Sequence, residues 1–121
     1  MHISRLTLLI VPLVLSCAWR PISAPVTSPA IPVTESECLA RGGTWDIFGF
    51  PVPDKPKSCG RIKATDSGKV CNDSSQCQGL CIAPAPFEAG SKVTGTCSEY
   101  LEEFGNVYSV ERGIVEYWNI D

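Results

Sequence analysis

The cysteines are the residues of this chain best equipped for chemistry: Cys17, Cys38, Cys59, Cys71, Cys77, Cys81 and Cys97. A thiol can serve as a nucleophile, a metal ligand or half of a disulfide, and its neighbours and compartment decide which. The only histidine is His2, so the rest of the chain can build neither a Ser-His or Cys-His pair nor a histidine-based metal site. No two cysteines stand in C-x-x-C spacing, which removes thioredoxin-like and zinc-ribbon motifs. Gly68-Lys69 is followed by Val70, and Lys63 stands where a phosphate loop needs its first glycine. Asp46 or Asp54 could pair with Asp66 or Asp73 as in a glycosidase. So small a domain rarely builds the deep cleft such a pair needs, and these acids read as solvated surface groups. Asn72-Asp73-Ser74 matches a glycosylation sequon, a short and common pattern. No catalytic residue, metal or cofactor is therefore expected.

Cys17 stands apart from the other six. Arg5 gives a short positive start, and Leu6 to Leu15 is an apolar run too short to cross a bilayer, which takes about 20 residues. Leu13-Val14-Leu15-Ser16-Cys17 resembles the lipobox of bacterial lipoproteins: apolar residues, a small residue, then cysteine. The resemblance implies a signal peptide over 1–16 and a lipidated N-terminus at Cys17. Ala18 follows where an aspartate would signal inner-membrane retention in Gram-negative lipoproteins, which implies the outer membrane. An ordinary signal peptide is the competing reading, with Ser16-Cys17-Ala18 as cleavage site and Trp19 as first mature residue, giving a secreted or periplasmic protein. Either way Cys17 leaves the pairing problem. The remaining six form an even set for disulfides in an oxidising compartment.

Three elements must then hold those six cysteines. Residues 17–33 read as the anchor and a tether, because Pro21, Pro25, Pro29 and Pro32 forbid a helix and favour an extended spacer. At about 3.1 Å per residue, such a spacer reaches on the order of 50 Å. Residues 34–121 read as one cysteine-rich domain. Thr34 and Glu37 form a capping box for a short helix, with Cys38 and Leu39 facing inward and Gly42 or Gly43 as its stop. A strand is expected within Thr44 to Phe50, with Trp45, Ile47 and Gly49 on one face. From Cys59 the spacing is C-x11-C-x5-C-x3-C, then fifteen residues to Cys97. Turn formers crowd this stretch, and Asp73 is placed to cap one helical turn. Six cysteines allow many pairings. The one that keeps loops local is Cys38–Cys59, Cys71–Cys81 and Cys77–Cys97.

The C-terminal residues predict a hairpin turning at Arg112-Gly113, which pairs Val110 with Val115 and Tyr108 with Tyr117 on one face. Ile114 and Trp118 then share the other face, as a second buried side or an exposed apolar patch, burial being commoner for such residues. The expected fold class is a small disulfide-rich α+β domain: one short helix, a short strand, a loop-rich cysteine knot and this hairpin.

From Cys38 to Cys97 the pattern CxxxGGxW…C…DxGKxC…C…GxC resembles small cysteine-rich envelope or secreted proteins of Gram-negative bacteria. That resemblance carries fold and location but no activity. The net charge of −3 gives no reason to expect nucleic acid as a partner. A basic middle (Lys55, Lys57, Arg61, Lys63, Lys69) and an acidic end (Glu99, Glu102, Glu103, Glu111, Glu116, Asp121) read as solvated surfaces that pair loosely. The expectation is a non-catalytic module tethered to the membrane by its N-terminal lipid, binding an envelope protein or glycan or displayed there. The alternative is a secreted disulfide-knot inhibitor or effector, free in solution; as a protease inhibitor it would need a rigid exposed loop. Gly60 to Val70 would be its reactive loop, with Arg61 or Lys63 as the inserted side chain.

Overall fold

A computed structural model describes residues 25–85 and 88–121; the lipobox, Cys17 and the start of the tether lie outside them. The described residues are strand-dominated. One α-helix, α1 (Glu35–Ala40), is followed by β1 (Thr44–Asp46), β2 (Ser58–Gly60), β3 (Val70–Cys71), a 3-10 turn (Ser74–Gln76), β4 (Cys81–Ile82), β5 (Gly95–Cys97), β6 (Gly105–Glu111) and β7 (Ile114–Ile120). β1 and β2 form an antiparallel ribbon, and the other five strands form an antiparallel sheet in the order β3-β5-β4-β6-β7.

Helix α1 starts where the capping box places it. The Thr34 hydroxyl accepts from the Glu37 backbone N–H at 3.4 Å, and Glu35 and Glu37 sit in the positive first turn. Gly42 ends it at φ +76°, a left-handed conformation that glycine adopts without a Cβ penalty. With six residues the helix turns one stripe inward, and only Cys38 is buried on it. Leu39, expected inside, is 56% exposed. The expected strand of 44–50 also stops early, at Asp46, whose carboxylate accepts from the next backbone N–H and breaks the extended run. Ile47 and Phe50 are consequently exposed.

The three disulfides join Cys38 to Cys59, Cys71 to Cys81 and Cys77 to Cys97, the pairs selected by local loops. They sort into two cores. The first gathers Cys38, Cys59, Ile62, Ala64 and Leu101, with Ile31 and Trp45 against it. The second gathers the other two disulfides with Ala83, Val110 and Val115. The hairpin forms in the expected register, Val110 opposite Val115 and Tyr108 opposite Tyr117. Its turn places Arg112 at φ 52° and Gly113 at φ 77°, the paired positive values of a type I′ turn. Burial on its far face goes the other way from the commoner outcome. Trp118 is 48% and Ile114 40% exposed, although Val107 and Ser109 on the same face are buried, so the cover on that side reaches β6 and stops short of β7. Trp118 keeps its indole N–H satisfied by donating to the buried Ser109 hydroxyl at 2.9 Å.

The Pro-rich stretch is not a free spacer over its described part. The Val26 N–H donates to the Ser75 carbonyl at 3.1 Å, the Arg41 guanidinium donates to the Ala30 carbonyl, Ile31 packs on the first core and Pro32 is buried. Proline removes the helix option but leaves an extended strip that can lie on apolar surface.

Candidate functional site

The two cores are joined by a segment that sequence reasoning left unassigned, Glu99 to Phe104. Its first residues pair with the chain after β2: Ala64 N–H donates to the Glu99 carbonyl and Leu101 N–H to the Ile62 carbonyl, both at 2.9 Å. This alternation buries Ile62, Ala64 and Leu101 and turns Arg61 and Lys63 outward. The chain then leaves the core through Glu102, Glu103 and Phe104 before entering β6. The Phe104 ring stacks on Phe48 at 4.7 Å between centroids, 15° from parallel. Phe48 in turn packs against Gly60, where a Cβ would come within 2.6 Å of the ring atoms Cε2 and Cζ. Only glycine permits that approach.

Phe104 is the ridge between two open depressions. One, of about 440 Å³, lies where β4 and β5 diverge from the start of β6, with Ile82, Thr96, Ser98, Glu103 and Val107 in its wall. The other, of about 460 Å³, is walled by Trp45, Lys57, Glu102 and the docked residues Ile31 to Val33. The two carboxylates flanking the ridge differ from the other acids. Burial pushes Glu102 above the usual carboxylate range. Burial also raises Glu103, outweighing the Tyr100 N–H and Arg61, which favour its charged form, while Glu99 adds repulsion. A mixed apolar and acidic cleft of this kind is chemically suited to contact with another surface, with the aromatic stack as the ridge along it.

Of the four aspartates singled out in the sequence, Asp54 is exposed and the other three serve the fold. Asp46 holds the Ile47 N–H, Asp66 accepts from the Gln78 N–H, and Asp73 caps the 3-10 turn through Ser75 while accepting from the Arg112 N–H at 2.9 Å. Those bonds hold the Asp73 carboxyl below its ordinary range. The buried hydroxyls are also committed: Ser98 accepts from Leu80 N–H and donates to the Tyr100 carbonyl. The Sγ atoms of Cys71, Cys77 and Cys97 lie within 4.8 Å of one another, but each is bound in a disulfide and offers no thiolate to a metal. The basic middle and acidic end meet in two ion pairs among the described residues, Lys55–Asp121 and Lys63–Glu99, the latter at 3.7 Å and exposed.

No protein-family model, curated protein or solved structure matches this chain.

Proposed function

We propose that the chain is a non-catalytic binding module, anchored to a bacterial membrane by a lipid on Cys17, with the cleft around Phe104 as its contact surface. Cysteine use carries this reading. Three disulfides consume six of the seven cysteines, and the one left over follows directly after the apolar run and a small residue. Structural disulfides belong to an oxidising compartment, which agrees with export. An outer-membrane destination follows from Ala18 under the same reading. Its partner is an envelope protein or glycan.

The inhibitor alternative finds less support. A protease-inhibiting loop presents an extended, protruding backbone. The stretch 60–65, which holds Arg61 and Lys63, instead alternates buried and exposed residues, and it is bonded to Glu99 and Leu101. Arg61 sits at φ 58° with its guanidinium 6.0 Å from the Tyr100 ring. The deciding experiment is an intact mass of the mature protein from the membrane fraction, without reduction. A lipid-bearing species beginning at Cys17, lighter by the hydrogens lost to three disulfides, supports the anchor. A lipid-free species beginning at Trp19 in the soluble fraction overturns it, and stoichiometric inhibition of a trypsin-like protease would then be the assay to run.

A further inference from the structure

The docked stretch 25–33 has a direction along the domain. Val26 is bonded to Ser75, next to the hairpin tip: Asp73 accepts from Arg112 N–H, and Ser74 donates to Glu111 at 2.5 Å. Ile31 and Pro32 lie at the other end, in the wall of the depression beside Phe104. The hairpin gives the distance between these ends. β6 has seven residues and runs from Gly105, next to Phe104, to Glu111, next to the turn, which at about 3.4 Å per residue is roughly 20 Å.

We propose that residues 25–33 are a strap that carries the anchor to the hairpin-tip end of the domain, so that the Phe104 cleft faces away from the bilayer. The inference rests on the lipid-anchor reading of Cys17. Between Cys17 and Pro25 there are seven residues, which span at most about 25 Å. The hairpin-tip end is therefore tethered within about 25 Å of the lipid, and the cleft lies at the far end of the domain. Without strap docking the chain would reach the domain at Thr34 instead, beside the cleft. The intervening sixteen residues would then span up to about 55 Å. The same lipid would then hold the opposite end, on a longer line. Four contacts decide between these orientations: Val26 to Ser75, Ala30 to Arg41, Ile31 on the first core, and buried Pro32.

The test uses the full lipidated protein in nanodiscs of phosphatidylethanolamine and phosphatidylglycerol, with some headgroups carrying a paramagnetic gadolinium chelate. Amide signals of Asn72, Ser75 and Gly113 should broaden several-fold more than those of Phe50 and Gly105. In an Ile31→Asp/Arg41→Ala variant that gradient should flatten or reverse, with the Val110 and Val115 amides still protected from exchange as proof of folding. Uniform broadening of the native protein, or a stronger effect at Gly105, overturns the orientation. Rapid hydrogen exchange at the Val26 amide overturns strap docking. If the mass shows no lipid, the anchor reading and the orientation fall together, whereas slow exchange at Val26 would still establish the docked strap.

Discussion

The two cores reach similar burial by different means. The second is a sheet core: Val110 and Val115 are fully buried between paired strands, and two disulfides close short loops beneath them. The first has a six-residue helix, a three-residue ribbon and one disulfide, and it borrows Ile31 from the strap and Leu101 from the segment leading to the hairpin. Where regular hydrogen-bonded pairing is plentiful, crosslinks reinforce an existing core. Where it is scarce, the crosslink and borrowed side chains make the core.

The largest test of that contrast is to remove a disulfide from each side. Cys38→Ser/Cys59→Ser opens a loop with a sequence separation of 21 and should cost about 3 kcal/mol in denaturant unfolding. Hydrogen exchange should speed up around α1 and the β1–β2 ribbon while Val110 and Val115 amides stay protected. Global loss of protection would show instead that the two cores form a single cooperative unit. Next in size is Val110→Ala, which leaves a void beside Val115 and the disulfides and should cost about 2 kcal/mol by thermal unfolding.

A glycine in each core sharpens the comparison further. A Cβ at Gly43 meets both sulfurs of the buried disulfide, Cys38 Sγ at 2.8 Å and Cys59 Sγ at 3.0 Å, and Ile62 Cγ1 at 2.9 Å. A Cβ at Gly95 meets the Ile82 carbonyl oxygen at 2.5 Å besides Val110 and Cys81. Overpacking costs about 1–3 kcal/mol. Gly95→Ala should cost more than Gly43→Ala, because the strand carbonyl is the closer obstacle, while the disulfide beside Gly43 can shift only together with α1 and the ribbon it joins. Equal melting temperatures for the two variants would contradict the view that the sheet core is the stiffer.

What could be read from the sequence follows the same division. The hairpin was legible because its register is set locally, by Arg112-Gly113 and the apolar residues flanking it. The disulfide pairs were legible because short loops close at low entropic cost. Thr34 and Asp73 signalled their caps for the same local reason. Leu39 and Trp118 misled because a side chain's burial depends on whether another layer arrives, and their own neighbours in sequence do not say. The pairing of 62–64 with 99–101 left no pattern, since it joins distant segments through a single bridge, Lys63 to Tyr100. The Phe104 cleft was invisible for a related reason: its walls come from the strap, the ribbon and the sheet. Glu102-Glu103-Phe104, two acids beside an aromatic, was the only hint.

The smallest expected effects have opposite signs on the two sides. Asp73 fastens the hairpin tip, and its hydrogen bonds favour the charged form, so its folded pKa lies below 3.8. The stability it contributes is present above that value and is lost as pH falls through the folded pKa. Asp73→Asn leaves one oxygen for the Ser75 and Arg112 N–H groups, which now use two; it should cost about 1 kcal/mol at neutral pH, and the difference from the native protein should shrink in strong acid. Glu103 beside the cleft is the reverse case. Its folded pKa lies above 4.5 because burial penalises the charge, so the folded state holds that proton more tightly than the unfolded chain. Stability then falls as pH rises through the folded pKa, and ionised Glu103 weakens the fold at neutral pH. Glu103→Gln should raise the melting temperature slightly at pH 7 and leave it unchanged below the ordinary carboxylate range. A carboxylate that costs stability where it sits is unexplained by folding, unlike Asp73. If Glu103→Gln instead lowers the melting temperature at neutral pH, the carboxylate belongs to the fold like Asp73.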